Sequence, residues 1–295
     1  MDRLDELAVL VAVLEEGSLS GAARRLHRSA PAVTRLLAAF EARAGVRLVE
    51  RTTRRLAPTE AGQRLADHAR RVLAAYDEAL DLGDDGPLRG ELTITAPLVF
   101  GRRHVTPVVT DFLDLHPGVS VELIVHDRNL DLIEGGIDVA VRIGALADSS
   151  LVARKVGEVS RILVASPEYL ARRGAPASPE ALAGHDVIFS GFPSDGPEWR
   201  FRDRSVRLQP RLRVNEIDSV LTAVRAGRGL GRPLSYQAAD DLAAGTLVRL
   251  LREHEPEPSP VHLVAPSRHM SAKARAFMDH AAQALGRLDV IRPET

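Results

Sequence analysis

The chain has 295 residues, of which 45% are hydrophobic and 27% are charged, and its formal net charge is −1. These values are ordinary for a globular protein and exclude collagen-like, disulfide-scaffold and broadly disordered classes. The sequence contains no cysteine, which excludes disulfides, thiolate metal ligands and a cysteine nucleophile. The length favours two or three folding units over one.

The first residues give no sign of a targeting segment. The N-terminus is acidic and does not lead into a long apolar run, so neither a secretory signal nor a membrane span is expected. We therefore expect a cytoplasmic protein with no membrane partner.

Charge is distributed unevenly along the chain. The segment from Ser20 to Arg55 holds nine arginines and two acids, so it carries a formal charge of +7 and the remainder carries −8. A basic segment beside an acidic remainder is typical of a separate nucleic-acid-binding module. A solvated basic surface without a ligand is the alternative.

Hydrophobic periodicity predicts three short helices at the N-terminus. The first covers residues 4–14, and the second covers residues 19–26 with Ser18 or Ser20 as its cap. After a tight turn, Ser29 caps the third helix, whose first turn accommodates a proline. A short helix, a tight turn and a second capped helix form the helix-turn-helix arrangement, in which the second helix enters the DNA major groove.

The exposed start of the third helix supplies the candidate DNA contacts. Arg35 can bind guanine or a phosphate, and Thr34 can bond to a base edge or a phosphate. After a short predicted strand at 46–49, the arginine-rich residues 51–55 predict the turn of a wing suited to phosphates or the minor groove. Arg51 could instead brace the wing internally. The candidate DNA-binding residues are Ser29, Pro31, Ala32, Thr34, Arg35, Arg51 and Arg54.

A long helix is predicted from Pro58 to about Leu82, followed by a hinge loop over residues 83–87. One apolar stripe of this helix lies close to heptad spacing, so it could pack against a partner helix. Packing against its own domain is the alternative. The predicted dimerisation stripe consists of Leu65, Ala69, Val72 and Tyr76.

Beyond Gly90, short β-rich runs alternate with helices, which predicts an α/β unit. The predicted strands cover residues 92–95, 119–125, 138–143, 162–165, 187–189, 211–214, 247–250 and 261–264. The predicted helices cover residues 103–115, 130–134, 167–173, 217–226, 237–243 and 272–285.

The motifs of the N-terminal segment together resemble those of the LysR-type transcriptional regulators. They read EGSLSGAARRL at 16–26, SAPAVT at 29–34, FEARAGVRL at 40–48, RTTRRL at 51–56 and TEAG at 59–62. Further motifs are similar to the family's effector-binding domain, namely DVAVRIG at 138–144, ASPEYL at 165–170, WRF at 199–201 and LSYQ at 234–237. The resemblance covers essentially the whole chain.

The resemblance implies an α/β multidomain protein with three parts. These are a winged helix-turn-helix DNA-binding domain at 1–59, a linker and dimerisation helix with its hinge at 60–87, and an effector-binding domain at 88–295. The last part would be two-lobed and similar to a type 2 periplasmic binding protein, with chain crossings near Ser160 and Ala265. Lobe one would then hold residues 88–160 and 266–295, and lobe two residues 161–265.

The resemblance also implies the partners. A dimer or tetramer would bind a partly palindromic double-stranded operator, a small molecule would modulate DNA binding or bending, and RNA polymerase would be a further partner. Two departures from the family pattern bear on this. Ala30 stands where members commonly carry glutamine, which limits it to apolar contact such as with a thymine methyl. The run from Gly231 to Pro233 places a rigid proline beside a segment that forms the cleft.

The effector site is expected at strand carboxyl ends, where open α/β sheets bind ligands. The loop at 96–100 precedes a helix, so its N–H groups could hold an anion beside an apolar wall. Arg142 could pair with a carboxylate of the ligand or with an acid of its own lobe. A carboxylate-bearing metabolite or an aromatic acid is therefore the expected effector. The candidate effector-binding residues, two of them placed opposite Arg142 by the resemblance, are Pro97, Val99, Phe100, Arg142, Ser190, Gly191 and Asn215.

Catalysis finds little support in the sequence. The nucleophile elbow, the phosphate-binding loop and the zinc-protease motif do not occur, and the ten histidines are dispersed. We expect no catalytic residue, no metal site and no cofactor. A regulator that binds DNA is favoured over a solute-binding or catalytic domain with an incidental helical N-terminus, because the basic segment argues against the latter.

Overall fold

The protein divides into two compact units. One comprises Met1–Leu88, Asp131–Gly136 and Ser271–Lys273, and the other comprises the remaining chain. The structure is a computed structural model, and it describes residues 3–51, 56–80, 87–128, 130–133, 135–146, 151–191, 196, 198–266 and 270–292.

The first unit contains the predicted winged helix-turn-helix and the long helix. Its elements are α1 Arg3–Glu16, α2 Leu19–Arg25, α3 Ala30–Ala44, β1 Val49–Arg51, β2 Leu56–Pro58 and α4 Glu60–Leu80, with β1 and β2 paired antiparallel. Ser18, and not Ser20, caps α2, because its hydroxyl accepts the Gly21 N–H at 3.1 Å. Ser29 caps α3 by accepting the Ala32 N–H.

The strand predicted at 46–49 begins only at Val49. The reason is local, since the carboxylate of Glu41 accepts the N–H groups of Leu48 and Val49 at 2.8 and 3.1 Å. This contact fixes the chain between α3 and β1 before strand pairing starts. Of the wing turn predicted at 51–55, Arg51 belongs to strand β1 instead, and residues 52–55, with Arg54, lie outside the described residues.

The three N-terminal helices and the start of α4 bury one apolar core. Its members include Val9, Leu10, Val13, Val33, Leu36, Leu37, Phe40, Leu48 and Ala66. Gly62 allows α4 to cross this core closely, because a Cβ at that position would lie 1.9 Å from the carbonyl oxygen of Leu48. Only glycine leaves room for such an approach.

The predicted dimerisation stripe of α4 is divided in two. Ala69 is 1% exposed and Leu65 packs against the core of the first unit, so both belong to their own domain. Val72 and Tyr76 are 47% and 45% exposed. The prediction of a four-residue seam is therefore wrong for Leu65 and Ala69, because neighbours in the same chain already cover them.

The second unit is an α/β domain with two sheet systems. Its strands are β3 Gly90–Ala96, β4 Val119–Val125, β5 Val139–Ile143, β6 Val152–Val159, β7 Leu163–Ala165, β8 Ile188–Ser190, β9 Glu198–Arg200, β10 Ser205–Arg207, β11 Leu212–Val214, β12 Val248–Leu250 and β13 Ser259–Ala265. Its helices are α5 Leu98–Phe100, α6 Thr106–Leu115, α7 Pro167–Arg173, α8 Ile217–Arg225, α9 Ala239–Ala243 and α10 Ala272–Leu285, with a π-helical turn, Gly101–Val105, between α5 and α6.

The helix predicted at 130–134 is wrong over the described residues 130–133, which form a turn instead. The carboxylate of Asp131 accepts the N–H of Ile133 at 2.8 Å, a local bond that competes with helix formation. Strands β6, β9 and β10 were not predicted.

The larger sheet has five strands in the order β4-β3-β5-β13-β6. Strand β3 runs parallel to β4 and β5, whereas β13 is antiparallel to both of its neighbours. Val261, Leu263 and Val264 of β13 are fully buried between β5 and β6. Residues 259–265 therefore belong to the larger lobe, and their assignment to lobe two is wrong, because the second crossing precedes Ser259.

The smaller lobe is built from short paired segments. Strands β8 and β11 are parallel, β7 and β12 are antiparallel, and β9 with β10 forms an antiparallel pair. Isolated bridges from Leu230 to Val187 and from Gly231 to Val164 join these pairs. At the first crossing, Ser235 N–H donates to the carbonyl of Ser160 at 2.7 Å.

Candidate DNA interface and ligand cleft

Helix α3 separates a buried face from an exposed one. Val33, Leu36 and Leu37 are buried, whereas Pro31 and Arg35 are exposed and Ala32 and Thr34 are half-buried. An open depression beside the start of this helix is lined by Leu19, Ser20, Ala30, Pro31, Thr34 and Arg35. The predicted contacts from Ser29 to Arg35 thus lie at the accessible N-terminal end of α3.

Thr34 uses its proton within the helix. Its hydroxyl donates to the carbonyl of Ala30 at 2.9 Å. The hydroxyl oxygen can still accept a hydrogen bond, for example from an amino group at a base edge. This geometry limits the expected role of Thr34 to that of an acceptor.

The arginines of the basic segment fall into two groups. Arg25 pairs with Glu15 at 2.5 Å, Arg28 pairs with Asp5 at 2.6 Å, and Arg43 pairs with the buried Glu6. Three others, which are exposed, make no ion pair with any residue of the described ranges, namely Arg24, Arg35 and Arg47. The backbone of Arg51 lies in β1, and its side chain is outside the described part. These three are therefore the arginines of the segment whose charge no described acid offsets.

A cavity of about 980 Å³ opens in the second unit between its two sheet systems. It is bordered by the carboxyl ends of the parallel strands β3, β4, β5, β8 and β11, the position at which open α/β sheets bind ligands. The cavity brings together five of the seven candidate effector-binding residues, namely Pro97, Arg142, Ser190, Gly191 and Asn215.

Val99 and Phe100 do not line this cavity. They are 1% and 0% exposed, and the ring of Phe100 packs edge-on against Tyr236 with 5.2 Å between centroids. Their assignment as an apolar wall is wrong, because they lie on the inward face of α5 and fill the core.

One of the backbone donors expected to hold an anion is already in use, because Leu98 N–H donates to the carboxylate of Asp127 at 2.9 Å. Elsewhere on the cavity, Gly191 N–H donates to the carbonyl of Val214 at 2.8 Å. Gly191 has φ +118°, so glycine is needed for the chain to turn at the cavity edge. Both of these N–H groups therefore have partners within the protein.

Arg142 is half-buried in the wall formed by β5. Its guanidinium donates to the carbonyl of Leu130 at 2.7 Å and makes no ion pair with any acid in the described part of the chain. The alternative in which Arg142 pairs with an acid of its own lobe thus has no support over those residues. Its remaining donors are available to a ligand.

Arg161 is a candidate ligand-binding residue that the sequence did not single out. It follows the first crossing, lines the cavity, and donates to the carbonyl of Arg232 at 3.3 Å. Although solvent reaches its side chain, the surrounding cleft walls desolvate the guanidinium and lower its pKa. It makes no ion pair with any described residue. A guanidinium without an acidic partner is available to an anion, although solvent and salt weaken the attraction at an exposed side chain.

A second arginine lies behind Arg161. Arg232 is 7% exposed and stacks over the rings of Phe201 and Trp199 at 4.4 and 6.0 Å. Burial, reinforced by the positive charge of Arg161, lowers the pKa of Arg232 to about 10. The arginine of the Gly231–Pro233 run thus lies close enough to Arg161 for the two positive charges to repel each other.

Other types of site find no support over the described residues. These residues contain no cluster of three or more histidines or acids that could hold a metal ion. Nor do they contain a helix that is both long and apolar enough to cross a membrane.

Comparisons with known proteins agree with this architecture. Residues 4–63 match the bacterial regulatory helix-turn-helix protein of the LysR family, and residues 85–286 match the LysR substrate binding domain. The chain is 36% identical over 291 residues to the HTH-type transcriptional regulator PtxR of Pseudomonas aeruginosa, covering 96% of this chain and 93% of that protein.

Two solved full-length structures are similar in fold. The LysR-type regulator CrgA of Neisseria meningitidis aligns with TM-score 0.62 and 29% identity, covering 97% of this chain and 100% of that one. The Vibrio cholerae virulence activator AphB aligns with TM-score 0.60 and 28% identity, covering 96% and 99%. With a helix-turn-helix module, an effector-binding domain and relatives that are regulators and not enzymes, the chain belongs to the LysR family of DNA-binding transcriptional regulators.

Proposed function

We propose that this regulator senses a small organic or aromatic acid in the cavity of its effector-binding domain and responds by changing how it binds or bends operator DNA. The observation that carries this proposal is the pair of guanidinium groups, Arg142 and Arg161, which face one cavity without a carboxylate partner in the described chain. Paired guanidinium and carboxylate groups form strong bidentate hydrogen bonds.

The DNA-binding half of the proposal rests on α3. Ser29, Pro31, Ala32, Thr34 and Arg35 contact the major groove, while the exposed arginines, with Arg51 and Arg54 of the wing, contact phosphates or the minor groove. One module holds one half-site, so a partly palindromic operator requires two copies. Val72 and Tyr76 of α4 are proposed to contribute to the contact between copies, in a dimer or a tetramer.

The regulator is proposed to act in the cytoplasm, where its operator lies, with RNA polymerase as a further partner at the promoter. For a ligand to switch the response, it must bind one arrangement of the lobes better than the other. A difference of about 1–3 kcal/mol changes the response roughly 5- to 150-fold.

Footprinting of the DNA upstream of the gene, with and without a panel of organic acids, tests the proposal. We expect a protected partly palindromic site whose pattern or bending changes with one class of acid, and we expect Arg142→Ala to lose that change. Calorimetry of both proteins with the same acids measures binding directly. Equal affinity in wild type and variant, or chemical conversion of the acid by the wild type, would contradict the proposal.

A further inference from the structure

We propose that the effector is a dianion, with one acidic group held by Arg142 on the larger lobe and the other by Arg161 on the smaller lobe. This inference rests on the proposed function, because it concerns the same cavity and narrows the class of acid. A bridge of this kind would make the second acidic group of the ligand responsible for joining the two lobes.

The two arginines belong to different lobes. Arg142 is on β5, where it pairs with His262 of β13 in the five-stranded sheet of the larger lobe. Arg161 follows the crossing at Ser160 and bridges to Leu234 in the smaller lobe. Both line the same cavity of about 980 Å³, which is large enough for a ligand that reaches both walls.

Both guanidinium groups keep free donors. Each has a hydrogen bond to a backbone carbonyl, from Arg142 to Leu130 at 2.7 Å and from Arg161 to Arg232 at 3.3 Å. Neither pairs with an acid within the described part of the chain. A guanidinium has five N–H donors in a planar fork, so one bond to a carbonyl leaves room for a bidentate carboxylate.

The positive charge of the cavity that a ligand could neutralise comes from Arg142 and Arg161. The described lining also holds Arg128, which interacts with other groups of the protein, and one acid, Asp127. Asp127 already accepts the N–H of Leu98 at 2.9 Å. Arg232, behind Arg161, adds repulsion that a single negative charge would offset only in part. A ligand with two negative charges can neutralise both arginines, whereas a ligand with one can neutralise only one of them.

A dianion also has the property that a switch needs. A monoanion can satisfy one wall in any arrangement of the lobes, whereas a dianion satisfies both walls only when their separation matches its length. It therefore binds one arrangement better than the others, which is the condition for shifting a conformational equilibrium. The chain length of the ligand should then set the affinity.

Calorimetry on the full-length protein tests the proposal with two matched series. The dicarboxylates succinate through suberate are compared with the monocarboxylates butyrate through octanoate, and terephthalate is compared with benzoate. We expect one dicarboxylate to bind roughly 10- to 100-fold more tightly than its monocarboxylate, as expected for an added charge-assisted contact. Arg142→Gln and Arg161→Gln should each remove this preference.

Two further variants serve as controls for the calorimetry. Arg228→Gln makes the same charge change on the exposed surface outside the cavity and should retain the preference. Arg161→Lys keeps the charge but lacks the planar fork, so it should give intermediate affinity even if a glutamine variant proves unstable. Unchanged dicarboxylate affinity in Arg161→Lys and Arg161→Gln would overturn the role of Arg161.

Failure of this proposal can be told apart from failure of the proposed function. If a monocarboxylate binds as tightly as every dicarboxylate and changes the DNA footprint, the dianion proposal is wrong while acid sensing stands. If no dicarboxylate binds, the dianion proposal is also wrong. If the protein protects no site in the upstream DNA, the result would instead contradict the proposed function.

Discussion

Arginines are arranged differently in the two units of this protein. In the winged module, Arg24, Arg35 and Arg47 are exposed and lie on separate elements, whereas in the effector domain Arg142 and Arg161 face one cavity. Arginines spread over one surface can each contact a different phosphate of a long polyanion, whereas two arginines that line one cavity can act together on a single small ligand. The same residue type thus suits a long polyanion at one site and a small anion at the other.

The largest expected effect is the difference in salt dependence between the two sites. If an oligomer neutralises about six to ten phosphates, DNA affinity should fall roughly 10³- to 10⁵-fold between about 50 and 200 mM salt. Binding of an acid in the cavity should change far less over the same range. Anisotropy titrations with DNA and calorimetry with the acid measure both. Equal salt dependence at the two sites would show that the contrast is wrong.

A second contrast lies within α4, where Val72 is exposed and proposed to join two copies, whereas Ala69 is buried in its own unit. Val72→Asp places a charge on an exposed position and should reduce oligomer size and operator affinity while leaving each unit folded. Ala69→Asp places a charge at a position that is 1% exposed and should lower the free energy of unfolding by several kcal/mol, roughly 3–5. Light scattering and chemical denaturation separate the two results. An unchanged oligomer in Val72→Asp would remove that face of α4 from the interface.

In the winged module, substituting an ion-paired arginine should lower the stability more than substituting an unpaired one. Arg43→Ala leaves the carboxylate of Glu6, whose side chain is 4% exposed, without its cation, so stability should fall by about 1–3 kcal/mol. Arg35→Ala should change stability by less than about 0.5 kcal/mol, because the side chain is exposed and has no described partner. Urea denaturation of the two variants makes the comparison. Similar losses of stability in both variants would contradict the division into arginines that stabilise the module and arginines proposed to bind DNA.

The smallest expected effect concerns the turn that orients α3. His27 joins α2 to α3 with φ +50°, a left-handed conformation that costs a residue with a Cβ roughly 1 kcal/mol. His27→Gly should therefore raise stability by a few tenths to about 1 kcal/mol, less the added backbone entropy of glycine. Thermal denaturation would measure the gain, and a clear loss of stability would show that the histidine side chain contributes a contact.

Local sequence patterns predicted the elements that depend mainly on interactions between residues close together in the chain. The caps at Ser18 and Ser29, the helix over Pro167–Arg173 and the strand over Val119–Val125 follow from capping chemistry and apolar periodicity. Strand β6 escaped prediction because charged Arg154 and Lys155 interrupt its apolar pattern, and its pairing depends on β13 more than a hundred residues later.

The sequence could predict a cavity residue only where it lies near the end of a predicted strand. Arg142 is the next-to-last residue of a recognisable apolar strand, so its place near a strand end could be expected. Arg161 is one of 37 arginines, and its position in the cavity results from the crossing between lobes, which no local pattern encodes. Val99 and Phe100 were misplaced because a short helix after β3 turns both side chains into the core.

One measurement tests the separation of the two arginine groups most directly. Wild type, Arg35→Ala and Arg161→Gln are titrated against labelled upstream DNA, each with and without the acid that binds wild type most tightly. We predict that Arg35→Ala weakens binding with and without the acid and reduces the salt slope by roughly one per site. Arg161→Gln should match the unliganded wild-type curve and lose the shift caused by the acid. A loss of unliganded DNA affinity in Arg161→Gln as large as that in Arg35→Ala would contradict the separation.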